Sequence, residues 1–453
     1  MITRRYWVRQ VSAAAAAVGL TSNSPRTAQF FQATGDKRAH LELALQAAKW
    51  IAAQRQAGDH GDRYPADPLH PDSVGIDFYN GMPGIVVFFA GLFHATQNVE
   101  WLRLAKGAAD HLISQMESDG SEIDAGLYTG LAGLGYTFDC LDRIGGGDRY
   151  FRAARTTTEL LKSRAQRVDG GASWGESWDI ISGVAGTGLF LLHGGREWDH
   201  SLVGLAAAAG TRLLAVAEPA LGGLMWYPGA SLQRNYPNFS HGTAGVGFFL
   251  ATLYQHTNDR RFLDGALKAA TYLDQIATRT GDATRIFHQS GGGENRFYLS
   301  WCHGPAGTAR FFYRLFQITR DRKWLEWVHA LTRGIATSGV PEQRTDGFWN
   351  NISQCCGNTG IGQYLIDLGR YVRTPDTAAF LQRVVMDTTR RGTTDNAGVR
   401  WTQAEHRTQP DNLVAQTGFM QGAAGVGTFL LQLDAFQRGK AWPLPQPDTP
   451  FVG

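Results

Sequence analysis

The chain has 453 residues, 43% hydrophobic and 18% charged, which fits a globular protein with a large core. Its 43 Lys and Arg against 40 Asp and Glu leave a net charge of +3, too small to suggest a nucleic-acid partner. Nothing between residues 35 and 440 reads as low-complexity or as a spacer, so one unit is expected, and a toroid or barrel can use that whole length.

The first 33 residues differ from the rest. "MITRRYWVRQVSAAAAAVGLTSNSPRTAQ" has a basic start, an alanine-rich apolar stretch and then small polar residues, the layout of an export signal. Arg4 and Arg5 with a weakly apolar stretch suit the twin-arginine route, which carries folded proteins, so a periplasmic or secreted location is expected. The alternative is a basic tail on a cytoplasmic protein. Val11 to Leu20 is too short to span a bilayer as a helix, and no other segment reaches spanning length without charges.

From residue 34 to 440 a repeat governs the chain. Gly81 and Gly84 open "GMPGIVVFFAGL", and Gly130 and Gly133 open "GLAGLGYTFDCL". The same G-x-x-G recurs at Gly183, Gly242, Gly304, Gly357 and Gly422, making seven copies roughly 50 to 65 residues apart. Before the copies lie amphipathic segments such as 41–56, 100–116, 260–277 and 322–336, with apolar residues at i, i+3, i+4 and i+7. The segments after the glycines are apolar nearly all round, which implies burial. The pattern predicts an all-α fold, an α/α toroid of seven outer and seven inner helices, with the glycines allowing a tight turn and close backbone approach. Residues 441–453, "AWPLPQPDTPFVG", read as a proline-rich, poorly ordered tail.

In such a toroid the inner helices run parallel and their N-termini share one rim. The residues just before the glycines are Asn80, Thr129, Ser182, His241, His303, Cys356 and Gln421, preceded in three repeats by Ser240, Cys302 and Cys355. Three of the chain's four cysteines therefore meet on the rim in two consecutive repeats. Cys302, Cys355 and Cys356 would make a three-thiolate zinc site with an open fourth position, the catalytic rather than the structural pattern. Helix N-termini favour the thiolate that a metal needs. Cys140, in a helical pattern, reads as a small buried apolar residue.

"SWCHGPAG" (300–307), "SQCCGNTG" (353–360), "FSHGTAG" (239–245) and "WDIISGVAG" (178–186) together resemble the motif set of the lanthionine synthetase C-like family of cyclases. The resemblance runs through all seven repeats and implies an α/α toroid, Zn2+ as the metal, and addition of a peptide cysteine thiol to dehydroalanine or dehydrobutyrine to form a thioether ring. It places the zinc cysteines on Cys302 and Cys355, with Cys356 where a histidine is common, the acid/base histidine on His241 and its supporting carboxylate on Asp179. The chemistry calls for such a pair, because thiolate addition leaves an enolate that something must protonate. The chain departs from the pattern twice: His303 follows the first zinc cysteine where tyrosine is common, and Tyr298 stands where an arginine can occur, with Arg296 near. His303 could bond the bound thiolate or supply a second acid. The expected partners are a dehydrated peptide or a small thiol, and a separate dehydratase.

Two other functions fit the sequence. One is a zinc-thiolate protein that binds glutathione-like thiols or modified peptides without turnover. The other is a carbohydrate-active toroid using Asp77, Asp124, Glu176 or Asp179 as paired acids and Trp174, Trp178 or Trp301 to stack sugars. The cysteine register argues against the latter, which has no use for three thiols.

Overall fold

The computed structural model describes residues 39–450 apart from Gln233 and Arg373, so the leader expected in 1–33 lies outside the described residues. Seven inner helices, α2 (Met82–Thr96), α4 (Leu131–Arg143), α6 (Val184–Glu197), α8 (Thr243–Thr257), α10 (Pro305–Thr319), α12 (Asn358–Gly369) and α14 (Ala423–Gln437), form a closed ring. Seven outer helices surround them: α1 (Ala39–Ala52), α3 (Val99–Asp119), α5 (Asp148–Arg164), α7 (Leu202–Ala215), α9 (Arg260–Ile276), α11 (Arg322–Ala336) and α13 (Pro375–Arg390). The predicted α/α toroid is the observed fold. Each inner helix packs on the outer helix that follows it, and α1 closes the ring by packing on α14.

Burial explains the two helix types. In α9 a stripe of Phe262, Leu263, Ala266, Ala269, Ala270 and Leu273 is buried and the opposite face is wet, whereas in α8 every residue from Thr243 to Leu253 is buried. Asn98, Asp259 and Asp321 start their outer helices by accepting a backbone N–H two residues on. Among the described residues six two-stranded antiparallel hairpins, unforeseen in the sequence, decorate the connections. Their strands have two or three residues each, too short to show an alternating pattern. Asp169 and Gly170 turn one of them at φ values of 49° and 74°, as a tight hairpin requires.

The glycines of the repeat owe their places mainly to crowding. The first glycine of each G-x-x-G precedes its inner helix at a negative φ, from −86° at Gly81 to −160° at Gly130, so its need is again for space: a Cβ would overlap the Tyr236 carbonyl at Gly242 and the Asp124 carbonyl at Gly130. A Cβ on the second glycine would overlap the loop tucked beneath the helix, as at Gly186 with the Ile180 carbonyl, Gly245 with that of Phe239 and Gly307 with that of Trp301. Further glycines one turn on take aromatic rings from the next inner helix: Phe190 lies on Gly135, Phe249 on Gly188, Phe311 on Gly247, Phe429 on Gly362 and Phe88 on Gly427. Ring closure thus depends on small residues at one register and rings at another.

The loops before the glycines are stitched into a circle by backbone hydrogen bonds. Tyr79 N donates to Tyr128 O (3.0 Å), Tyr128 N to Ile181 O (2.9 Å), Ile180 N to Ser240 O (3.1 Å) and Ser240 N to Cys302 O (2.8 Å). Cys302 N then donates to Cys355 O (3.1 Å), Cys355 N to Met420 O (3.0 Å), and Met420 N returns to Tyr79 O (2.7 Å). In six repeats one residue, two before the glycine, carries both bonds of this circle, and in the third Ile181 accepts while Ile180 donates. Two of the three rim cysteines are therefore fixed by main chain before any metal arrives.

Residues 441–450 are not the loose tail expected from their prolines. Leu444, Gln446, Asp448 and Thr449 are buried. The segment enters the ring from the end opposite the cysteines. Asp448 there pairs with Arg310 (3.1 Å) and accepts from the Trp301 indole (2.7 Å), while Tyr136 donates to the Pro445 carbonyl. Specific polar partners order what composition alone marked as irregular. No described helix is long and apolar enough to cross a membrane.

Candidate metal and acid/base site

The rim gathers the three cysteines as the repeat register predicted. Cys302 Sγ lies 3.2 Å from Cys356 Sγ, which lies 3.4 Å from Cys355 Sγ, and all three sulfurs fall within 4.8 Å of one another. Sulfurs about 2.3 Å from one tetrahedral zinc stand about 3.8 Å apart, so the donor set fits that ion. The adjacent pair both reach inward because the Cys355 backbone is held in the rim circle while Cys356 N bonds Ser353 Oγ (3.2 Å). Cys140 is buried elsewhere, in α4, and burial pushes its thiol up to about 12.

In the bare chain the three thiols share one ready proton loss. Burial opposes a charge on Cys355, but hydrogen bonds from Cys302, Cys356 and the Tyr79 hydroxyl (2.9 Å) outweigh it and hold Cys355 well below the ordinary thiol value. Cys356 is held high because it donates to the other two, and Cys302 is held high chiefly by burial. Gln421 supports Tyr79 from behind, donating to its hydroxyl at 3.0 Å. Neither Tyr79 nor this relay was foreseen, although Tyr79 shares the register of Cys302 and Cys355.

His241 and Asp179 meet as expected. His241 Nδ1 lies 2.5 Å from Asp179 Oδ2. The other carboxylate oxygen accepts the backbone N–H of Ser182 (2.9 Å) and Gly183 (3.0 Å). Asp179 is therefore both the cap of its own loop and the holder of the imidazole. That leaves His241 Nε2 for the cavity. Burial works against a charge on His241, and the charge and hydrogen bond of Asp179, with the Cys355 sulfur, raise it above the ordinary imidazole value.

His303 sits deeper, buried with its Nδ1 unbonded. Burial and the imidazoles of His288 and His241 hold it well below its ordinary value, which disfavours its charged form. His288, missed in the sequence, completes a three-imidazole cluster: its ring is 4.6 Å from His303 and stacks on Tyr298 at 4.1 Å. Burial, with Arg296 and Arg407 nearby, takes His288 down to about 4.

These groups line one cavity of about 170 Å³, together with Tyr79, Tyr298, Glu405 and Arg407. Arg296 and Arg407 both pair with Asp346 (2.8 and 3.1 Å), and of the two it is Arg407, from the loop joining the last hairpin, that lines the cavity. The residues of the carbohydrate reading do not line this cavity. Asp77 and Asp124 accept hydrogen bonds from their own loops, Glu176 is exposed, and Trp301 lies buried against Asp448. Trp178 is buried with Arg212 on its face, and Trp174 donates to the Leu161 carbonyl.

The sequence profile described as lanthionine synthetase C-like protein matches residues 72–444. The chain belongs to the lanthionine synthetase C-like family. Among solved structures it is similar to nisin cyclase, with a TM-score of 0.63 and 13% identity over 88% of this chain and 99% of that one. It is also similar to the Lin0763 protein from Listeria innocua, with a TM-score of 0.50 and 10% identity over 87% and 97% of the two chains. At these identities the likeness is one of fold. No curated protein sequence matched. Tyr298 and Arg407 both line the cavity, Arg407 reaching it from another repeat.

Proposed function

We propose that this protein is a zinc-dependent thiol-addition enzyme that joins cysteine thiols to dehydroalanine or dehydrobutyrine in a peptide. The observation that carries this reading is the meeting, in one cavity, of three cysteine sulfurs and His241, which Asp179 holds from behind. Zinc held by Cys302, Cys355 and Cys356 would bind an incoming thiol at its open position and favour the thiolate.

The chain's own groups supply the rest. As the sulfur–carbon bond forms at the β-carbon, the double-bond electrons move toward the carbonyl and leave an enolate. His241, charged because Asp179 holds it, delivers a proton from Nε2 to the α-carbon and completes the addition. Arg407, lining the cavity, offers positive charge to the enolate oxygen. His303 and His288 with Tyr298 form an aromatic wall that orients the acceptor. The reading includes a separate dehydratase, which removes water from serine or threonine beforehand. It also includes export by residues 1–33, which would carry a folded, metal-loaded chain.

Elemental analysis tests the metal part. The purified protein should hold about one zinc per chain, and Cys302→Ser or Cys355→Ser should each lose most of it. A full-length protein with no metal and all four thiols free would overturn the reading.

A further inference from the structure

At the other end of the ring, where the inner helices finish, lies a larger cavity of about 580 Å³, within the usual size of a small-molecule site. It is lined by the last turns of α4, α6, α8 and α10 and by the 443–449 segment. Nothing in the thiol-addition reading uses it.

Four arginines face it: Arg143, Arg196, Arg314 and Arg320. Arg143 is matched by Asp139 (2.5 Å) and Glu197 (3.0 Å), and Arg196 by Glu197 (2.7 Å). Arg314 has no carboxylate partner among the described residues. It is only 9% exposed, donates to the Gln255 side-chain oxygen at 2.8 Å, and leaves its Nε with no hydrogen-bond partner. Phe248 lies beneath the guanidinium at 5.5 Å. Arginines at a helix C-terminus complement the helix dipole, which accounts for Arg143 and Arg196 in their last turns and for Arg320, the residue that follows α10. Arg314 lies inside α10, more than a turn before its end at Thr319, so that account does not reach it.

A buried charge without a counter-ion is costly. The surroundings respond to it: burial, with Arg196 close by, lowers Arg314 to about 10, and burial with Arg196 and Arg314 lowers His256. The rest of the lining mixes polar groups such as Asp139, His193 and Gln317 with the rings of Tyr136, Phe248 and Phe316 and with prolines of the C-terminal segment.

We propose that this cavity binds a small oxyanion on an apolar or aromatic body, an organic phosphate or carboxylate, with Arg314 as the buried anchor of the anion and the 443–449 segment as one wall. The site stands apart from the cysteines and is independent of the thiol-addition reading.

The test uses the full, metal-loaded chain in a chloride buffer free of oxyanions. Unfolding temperature is followed as inorganic phosphate, phenyl phosphate or benzoate is added, with chloride as the ionic-strength control. A saturable rise is expected with at least one oxyanion. Phenyl phosphate should half-saturate at about tenfold lower concentration than phosphate, since burying its ring adds the apolar contribution. Whether phosphate or benzoate acts more strongly identifies the anion class. Arg314→Met should abolish the rise. It should also match or exceed the native chain in stability without anion, since the unpaired charge is gone. Calorimetric titration of the unsubstituted protein gives the same answer should that variant fail to fold. The proposal is overturned by the absence of saturable binding of all three probes, or by an equal response in Arg314→Met.

Discussion

Asparagine at His241 will slow thiol addition to a dehydroalanine peptide by about 100- to 10,000-fold while zinc stays at about one per chain. His241 is not among the clustered sulfur ligands, so its loss leaves the metal donors in place. It removes the proton donor for the enolate and leaves Asp179 still capping its loop through Ser182 and Gly183. Asp179→Asn acts through the same ring. Asp179 is the main support that raises His241 against burial. Without its charge the imidazole gives up its proton at lower pH. The acid form is present below that pKa and lost above it, so the alkaline limb of the rate profile should move to lower pH. A protein that merely captured thiols would show no rate to lose in His241→Asn, and thiol affinity would be unchanged. Steady-state rates, zinc content and thiol affinity measured together on the two variants separate these cases.

The second large effect lies beneath the site. Asp448→Asn should destabilise the protein by about 3–5 kcal/mol, the usual result of removing one partner from a fully buried ion pair. Arg310 and Asp448 have side-chain exposures of 1% and 0%. Gln446 takes the other guanidinium nitrogen at 2.9 Å, Arg310 Nε already lacks a partner, and Asp448 is the one carboxylate paired with Arg310 among the described residues. Asp448 also receives the indole of Trp301, the residue before Cys302, so the variant should release zinc faster. Arg310→Met with Asp448→Leu should recover much of the stability, because two apolar groups leave no stranded charge. Denaturant unfolding of the three proteins checks this, and a change under 0.5 kcal/mol in Asp448→Asn would show that the C-terminal segment does not hold the ring.

The repeat made the fold readable because its signal is local: one G-x-x-G per inner helix, with a polar-faced helix between copies. The same register foretold the meeting of Cys302, Cys355 and Cys356, since equivalent positions in a ring share a rim. The glycines were found but their cause was only half read, because overlap with a neighbouring carbonyl is invisible in one chain segment. His288, Tyr79 and Arg407 come from positions with no common register or from residue types that are usually structural, and only the fold brings them to the cavity. The C-terminal segment misled for a related reason. Its prolines speak of irregular backbone, and its order comes from Arg310, Trp301 and Tyr136, more than a hundred residues away.

The most direct measurement is ring closure in a short peptide carrying one dehydroalanine and one cysteine, read as the loss of alkylatable thiol without change in mass. The zinc-loaded protein should close the ring well above the rate in buffer, and Cys302→Ser and His241→Asn should return it to near that background. Closure no faster with the native, metal-loaded protein than without it would contradict the assignment of these cysteines and this histidine to thiol addition.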